Sequence, residues 1–206
     1  STEKVVTSVT ALATLGMDYT MKTHLQYTGN IKNDTLKGNL YLVGGFDPEF
    51  MDEDLDSLVD VIAGSGIRYI TDTLAADVSM TDSVYWGSGW SWDDVPASFQ
   101  PYMSPLMLNR GCVDVTVSPT VKDSLPDVVC VPASDYYQVD NDAVSFQSQA
   151  GKLKVSRNWL SNGNLIHISG NVSKPETKTL SVYDSKNFFF HTFVNRLAHI
   201  IDGKEG

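Results

Sequence analysis

Between residues 82 and 105 the chain shows no hydrophobic periodicity, and that stretch limits what the rest can fold into. Its centre carries Trp86, Trp90 and Trp92, then Asp93, Asp94 and Pro96, with glycines between the indoles. Irregular segments of this length are uncommon inside compact domains and usually carry function. Before it, helix-period and strand-period patterns alternate. After it, short strand patterns follow one another until a last helix. The predicted fold is therefore α+β, with an α/β-like part followed by a β-rich part.

The first fifteen residues place Val5, Val9 and Leu12 on one helical stripe, with Val6 and Ala13 beside it, Ser1 as N-cap and Gly16 as stop. Met21, Thr23, Leu25 and Tyr27 share one strand face, Asn33-Asp34 marks a turn, and 36–43 returns, so a hairpin is predicted. Asp52, Glu53 and Asp54 stand where a helix macrodipole favours acid, ahead of Leu55, Leu58, Val59 and Ile62 at helical spacing. Gly64 and Gly66 stop that helix, and 67–70 reads as a short strand. Further strands are predicted at 112–117, 128–131, 144–146, 152–159, 165–170 and 179–183, with Asn162-Gly163 as a hairpin turn. Asp184-Ser185 caps a final helix with Phe189, Phe193, Leu197 and Ile200 on one face; Phe188 to Phe190 read as core.

The chain has 206 residues, enough for one large or two small domains and for a core that needs no disulfide or structural metal. It carries 15 Lys+Arg against 25 Asp+Glu, a net charge of −10. Non-specific nucleic-acid binding needs the opposite sign, and an anionic membrane surface is disfavoured for the same reason. No apolar run approaches the ~20 residues of a membrane span, so no transmembrane segment is expected. Cys112 and Cys130 either pair or stay reduced in separate strands. His24, His167, His191 and His199 are scattered, and no metal or cofactor is expected.

The chain opens Ser1-Thr2-Glu3-Lys4. Three residues apart on a helix, Ser1 and Lys4 share a face. An amine within reach of a hydroxyl is what a Ser-Lys nucleophile requires. The same four residues also fit an N-cap serine and a solvated lysine. The continuation through Gly16, Asp18 and Tyr19 weighs for the nucleophile, because it resembles the active-site helix of penicillin-binding enzymes. It is most similar to the D-alanyl-D-alanine carboxypeptidase/endopeptidase family with a large insertion in its catalytic domain, the penicillin-binding-protein-4 type. Three further blocks resemble that family: residues 36–48, through Gly44-Gly45-Phe46-Asp47-Pro48; Gly89-Trp90-Ser91-Trp92-Asp93-Asp94; and Leu108-Asn109-Arg110-Gly111-Cys112-Val113-Asp114-Val115. Residues 119–206 match only in style.

The resemblance implies three motifs, Ser-x-x-Lys, Ser-x-Asn and Lys-Thr-Gly. No Lys-Thr-Gly occurs here. Ser156-Arg157-Asn158 and Ser185-Lys186-Asn187 spell the second motif, but in a predicted strand and at a helix cap, and both read as chance. The expectation is a fragment that begins on the nucleophile, runs through the insertion and stops before the other two motifs. Its parts would be an active-site helix stub at 1–16, an α/β-like subdomain at 17–109, a β-rich subdomain at 110–178, and a strand and helix at 179–206 returning toward the catalytic domain.

In the family, Ser1 would attack the carbonyl of the penultimate D-Ala and release the terminal one, with Lys4 the candidate base. One oxyanion-hole donor would come from the Lys-Thr-Gly strand, so the fragment alone is expected to be inactive. The implied partners are peptidoglycan stem peptides and β-lactams, met in the periplasm or otherwise outside the cytoplasm. Asp94 first and Asp93 second, beside Trp90 and Trp92, are implied in reading the free amine of the substrate's diaminopimelate. A carboxylate beside aromatic faces suits an ammonium group. The same residues also fit a packed loop with its aspartates in water. Two other readings stay open: a non-catalytic module that binds cell-wall peptide or a partner protein, and a scaffold with no ligand. The stripe on the first helix needs a partner, so self-association through it, or poor order, is expected.

Overall fold

The computed structural model describes residues 2–202. Helix α1 (Thr2–Leu15) ends where Gly16 takes φ +85° and donates its N–H to the Leu12 carbonyl at 3.0 Å. A left-handed residue is a common helix stop, and glycine adopts it without steric penalty. No residue of α1 is buried, so Val5, Val9 and Leu12 face solvent in this chain. Ser1, as N-cap and as candidate nucleophile, lies outside the described residues.

Strands β1 (His24–Tyr27) and β2 (Asn30–Lys32) run to the predicted turn, where Asn33 has φ +58°. Strands β3 (Thr35–Lys37) and β4 (Leu40–Val43) return, antiparallel to β2 and β1 respectively. The hairpin is nevertheless two ladders, broken at Gly29 and Gly38. A Cβ on Gly29 would strike the Lys37 carbonyl, and one on Gly38 the Thr28 carbonyl. Only glycines let the two strands touch there, and the hairpin arms then diverge into separate sheets. β5 (Tyr69–Ile70) joins β3 and β6 (Leu74–Asp77) joins β4, both in parallel, giving sheets β2-β3-β5 and β1-β4-β6. No strand is predicted at β6. Its Leu-Ala-Ala-Asp sequence has weak strand propensity and pairs because β4 offers an open edge.

Helix α2 (Asp52–Gly64) starts on the three predicted acids, and the Met51 N–H donates to the Asp54 carboxylate at 2.9 Å. It buries Leu55, Val59 and Ile62. After the long segment, β7 (Cys112–Ser118) lies between β8 (Asp127–Val131) and β12 (Glu176–Ser181), antiparallel to both. The fourth sheet has β11 (Leu165–Val172) at its centre, antiparallel to β10 (Lys154–Arg157) and parallel to β9 (Gln138–Ser145). β9 is much longer than the predicted 144–146, because pairing with β11 overrides the poor strand propensity of its Asp and Asn residues. The β10–β11 connection is a 3-10 turn, Trp159–Ser161, followed by Asn162 at φ +53°, rather than a two-residue turn.

Helix α3 (Ser185–Asp202) begins at Asp184, whose carboxylate accepts the Asn187 N–H at 3.2 Å. Phe188, Phe189, Phe193 and Leu197 are buried, and the Phe189 ring lies 4.9 Å from that of Phe50. α3 packs on α2, and Arg196 spans to Asp52 at 2.5 Å and Asp56 at 2.7 Å. One hydrophobic core therefore runs from Leu36 and Val59 through Val115 and Ile168 to Phe193.

Both cysteines are free. Cys130 stands opposite Val115, three residues along β7 from Cys112. That is roughly 10 Å of strand, beyond the reach of a disulfide. Burial pushes the Cys112 thiol up to about 12. Among the described residues no helix is long and apolar enough to cross a membrane, and no group of three His, Cys, Asp or Glu could hold a metal.

Candidate active site

The 82–105 segment is tied down on both sides of its apex. The apex is a 3-10 turn, Trp92–Asp94. The buried side chain of Gln100 donates Nε2–H to the Ser91 carbonyl at 2.7 Å, which satisfies an amide that would otherwise be stranded. Val95 is buried, the Ser181 N–H donates to the Pro96 carbonyl at 2.8 Å, and Ala97 pairs with Leu180. Held this way, the turn displays its polar and aromatic groups outward. Trp90 is 43% and Trp92 65% exposed. Asp93 is exposed and Asp94 half-buried. Neither carboxylate accepts a hydrogen bond among the described residues.

Behind the turn stands Tyr102, whose buried ring meets Tyr183 edge-on at 5.2 Å and leans on Trp86 at 4.9 Å. The Arg157 guanidinium lies 5.9 Å from the Tyr102 ring centre. Its Nε–H donates to the Ser181 carbonyl at 2.9 Å and its Nη1–H to the Gly163 carbonyl at 2.7 Å. Arg157 is only 3% exposed and has no carboxylate partner among the described residues. Burial pushes its pKa down, and burial pushes the Tyr102 phenol up, the latter opposed by the guanidinium. The Ser185 hydroxyl donates to the Tyr102 carbonyl. One buried cation thus joins the long segment, the end of β12 and the turn after β10. Two residues past it, Trp159 meets Trp92 at a tilt, with ring centres 5.4 Å apart and planes at 39°.

The structure therefore gathers Trp90, Trp92, Asp93 and Asp94 on one short turn. Lys4 sits exposed on α1, and no hydrogen bond or ion pair joins it to that turn. Both Ser-x-Asn triplets are engaged in local structure. The Asn158 Oδ1 accepts the Leu165 N–H at 2.9 Å, and the Asn187 side chain donates to Asp184 at 2.6 Å. Sequence reasoning gives Trp159, Arg157 and Gln100 no role. Nothing in their spacing marks them, since each meets the turn only through the tertiary fold.

Residues 1–203 match the family model described as the D-Ala-D-Ala carboxypeptidase 3 (S13) family. The chain is 30% identical over 151 residues to a D-alanyl-D-alanine carboxypeptidase of Actinomadura sp. (strain R39), covering 70% of this chain and 28% of that protein. It is 32% identical over 112 residues to the D-alanyl-D-alanine carboxypeptidase DacB of Haemophilus influenzae, covering 54% and 23%. Its fold matches the crystal structure of penicillin binding protein 4 (dacB) from Haemophilus influenzae with a TM-score of 0.75 at 22% identity, over 98% of this chain and 45% of that one. The same protein complexed with a novel β-lactam gives a TM-score of 0.63 at 21% identity, over 96% and 41%. At these identities the structural likeness speaks for the fold alone. The chain spans about a quarter of the curated relatives it matches, at 28% and 23% of their lengths, and under half of the solved chains. A family match running from residue 1 to residue 203 shows that the chain belongs to the D-Ala-D-Ala carboxypeptidase 3 (S13) family, of the penicillin-binding-protein-4 type.

Proposed function

We propose that this chain supplies the nucleophile helix and the amine-reading turn of a serine-type D-Ala-D-Ala carboxypeptidase/endopeptidase of its relatives' length. The observation that carries the reading is the pinned turn, with exposed Trp90 and Trp92 beside two carboxylates that accept no hydrogen bond among the described residues. An ammonium group placed against Asp94 gains a charge-assisted hydrogen bond and a neighbouring indole face; Asp93 is the second choice. At the other end of the substrate, the Ser1 hydroxyl attacks the carbonyl carbon of the penultimate D-Ala. The amide bond to the terminal D-Ala breaks, and the leaving amine takes the proton that Lys4 removed from Ser1. Water then releases the acyl group.

The proposed parts are the helix stub at 1–16, an α/β-like subdomain at 17–109, a β-rich subdomain at 110–178, and the return at 179–206. The division near residue 109 is supported by the strands, since β1–β6 build two sheets and β7–β12 two others, with no sheet shared between the groups among the described residues. The stripe of Val5, Val9 and Leu12, exposed here, then packs on other parts of a catalytic domain or on a second copy. The site of action is extracytoplasmic, on peptidoglycan stem peptides, with β-lactams as inhibitors. A second reading, a non-catalytic module that holds cell-wall peptide, is favoured by the engagement of both Ser-x-Asn triplets in local hydrogen bonds.

Labelling with a fluorescent penicillin tests the proposal. A full-length protein containing this chain takes one label, lost in Ser1→Ala, and the chain alone takes none. An unlabelled full-length protein favours the module, and a stoichiometric Ser1-dependent label on the chain alone shows its site to be complete.

A further inference from the structure

We propose that Trp92, Trp159 and the Asp93 carboxylate form a saccharide subsite, with one pyranose ring lying on the open face of the Trp92 indole. The site lies on the turn proposed to read the amine, but it depends on neither the acyl-enzyme chemistry nor the Asp94 contact.

The Trp92–Trp159 pair joins segments far apart in sequence, and it leaves Trp92 65% exposed. The two rings meet at a tilt, and most of the Trp92 side chain meets water. Leu160, next to Trp159, is 77% exposed. An aromatic side chain left largely in water keeps its ring available to a ligand. Asp93 adds an exposed carboxylate that accepts no hydrogen bond among the described residues. A ligand that suits both features offers an apolar face to the indole and hydroxyl donors at its edge, and a pyranose ring does both. Anionic ligands are disfavoured by Asp93, Asp94 and the net charge of −10. An apolar peptide side chain or acyl chain would leave the Asp93 carboxylate without a donor and desolvated.

The pair is also held rigid, which limits what binding must order. Gln100 fixes the Ser91 end of the turn, and Arg157 fixes the strand end that leads to Trp159.

Titration of the chain with tri-N-acetylchitotriose, a neutral pyranose trimer, tests the inference. The indole Nε1–H signals of the four tryptophans are read by two-dimensional NMR. The expected result is saturable shifts at Trp92 and Trp159, larger than at Trp86, with a dissociation constant on the order of 1 mM. Asp93→Asn, an exposed change that leaves packing intact, should weaken binding about fivefold, and Trp159→Ala about tenfold. If Trp159→Ala does not fold, Trp159→Phe keeps an aromatic and should retain most of the affinity. Affinity should be unchanged between low and high salt, because the ligand is neutral; an ammonium on the same carboxylates would weaken as salt screens it. Absent or non-saturable shifts, shifts spread evenly over all four indoles, or affinity unchanged by Asp93→Asn would overturn the proposal. The amine reading stands or falls separately, on Asp94 and an amine-bearing peptide.

Discussion

Replacing Arg157 by methionine tests whether one buried cation holds the turn in place. The change strips charged donors from the Ser181 and Gly163 carbonyls and removes a cation from the Tyr102 ring. Each charge-assisted bond contributes ~1.5–3 kcal/mol net, and the ring contact adds ~1–2 kcal/mol when desolvated. The loss is therefore about 4–8 kcal/mol. Against it, methionine relieves the chain of a guanidinium buried without a carboxylate, which returns several kcal/mol. The net expectation is a destabilisation of about 2–4 kcal/mol, a large part of the ~5–15 kcal/mol typical of a domain. In urea unfolding followed by circular dichroism, with a slope of ~2 kcal/mol/M, the midpoint should fall by about 1–2 M. Arg157→Lys should recover less than half of this, since an ammonium lacks the planar fork that reaches two carbonyls. Both variants should also weaken the near-ultraviolet signal of the Trp92–Trp159 pair. A methionine variant within ~0.5 kcal/mol of the parent, or full rescue by lysine, would refute the reasoning.

Other expectations follow from the core, the hairpin and the thiols. Phe193→Ala, at a fully buried position, should cost ~3–5 kcal/mol in the same urea assay. Gly29→Ala should cost more than ~1 kcal/mol, because its methyl meets the Lys37 backbone and its φ is +81°. The Cys112 thiol, raised from 9.0 to about 12 by burial, keeps its proton in the fold while an unfolded thiol loses it. The unfolded state then binds fewer protons between those values, so stability should fall from about pH 9 toward pH 12, and Cys112→Ala should flatten that limb. At pH 8 a thiol reagent should modify Cys130 before Cys112, read by mass spectrometry of the intact chain.

Much of the fold is legible where a local rule and the tertiary outcome agree. Phe189, Phe193 and Leu197 repeat at helical spacing and are buried, and Asp52 to Asp54 mark the start of α2. The Asn33-Asp34 turn and the returning strand are equally readable. What stays hidden depends on pairing at a distance. β6 and the first half of β9 contain residues that disfavour strands, and they form because β4 and β11 offer edges to them. The break in the hairpin needs Gly29 and Gly38 to face each other, which a one-dimensional pattern does not reveal. At the candidate site, the density of tryptophan and aspartate in 86–94 singles out the turn. The partners that position it, Gln100, Arg157 and Trp159, carry no local signature.

The most direct test of the amine-reading turn uses a full-length protein containing this chain and two peptides ending in D-Ala-D-Ala, one with a free diaminopimelate amine and one with that amine acetylated. Asp94→Asn removes a charge-assisted hydrogen bond of ~1.5–3 kcal/mol, so kcat/KM on the free-amine peptide should fall about ten- to a hundredfold. The acetylated peptide and the rate of penicillin acylation should be unchanged, because both meet the Ser1–Lys4 centre without the carboxylate. An equal fall on both peptides would make Asp94 a support of the turn, and no fall on either would give the amine to Asp93 or to a residue outside this chain; either result contradicts the assignment to Asp94.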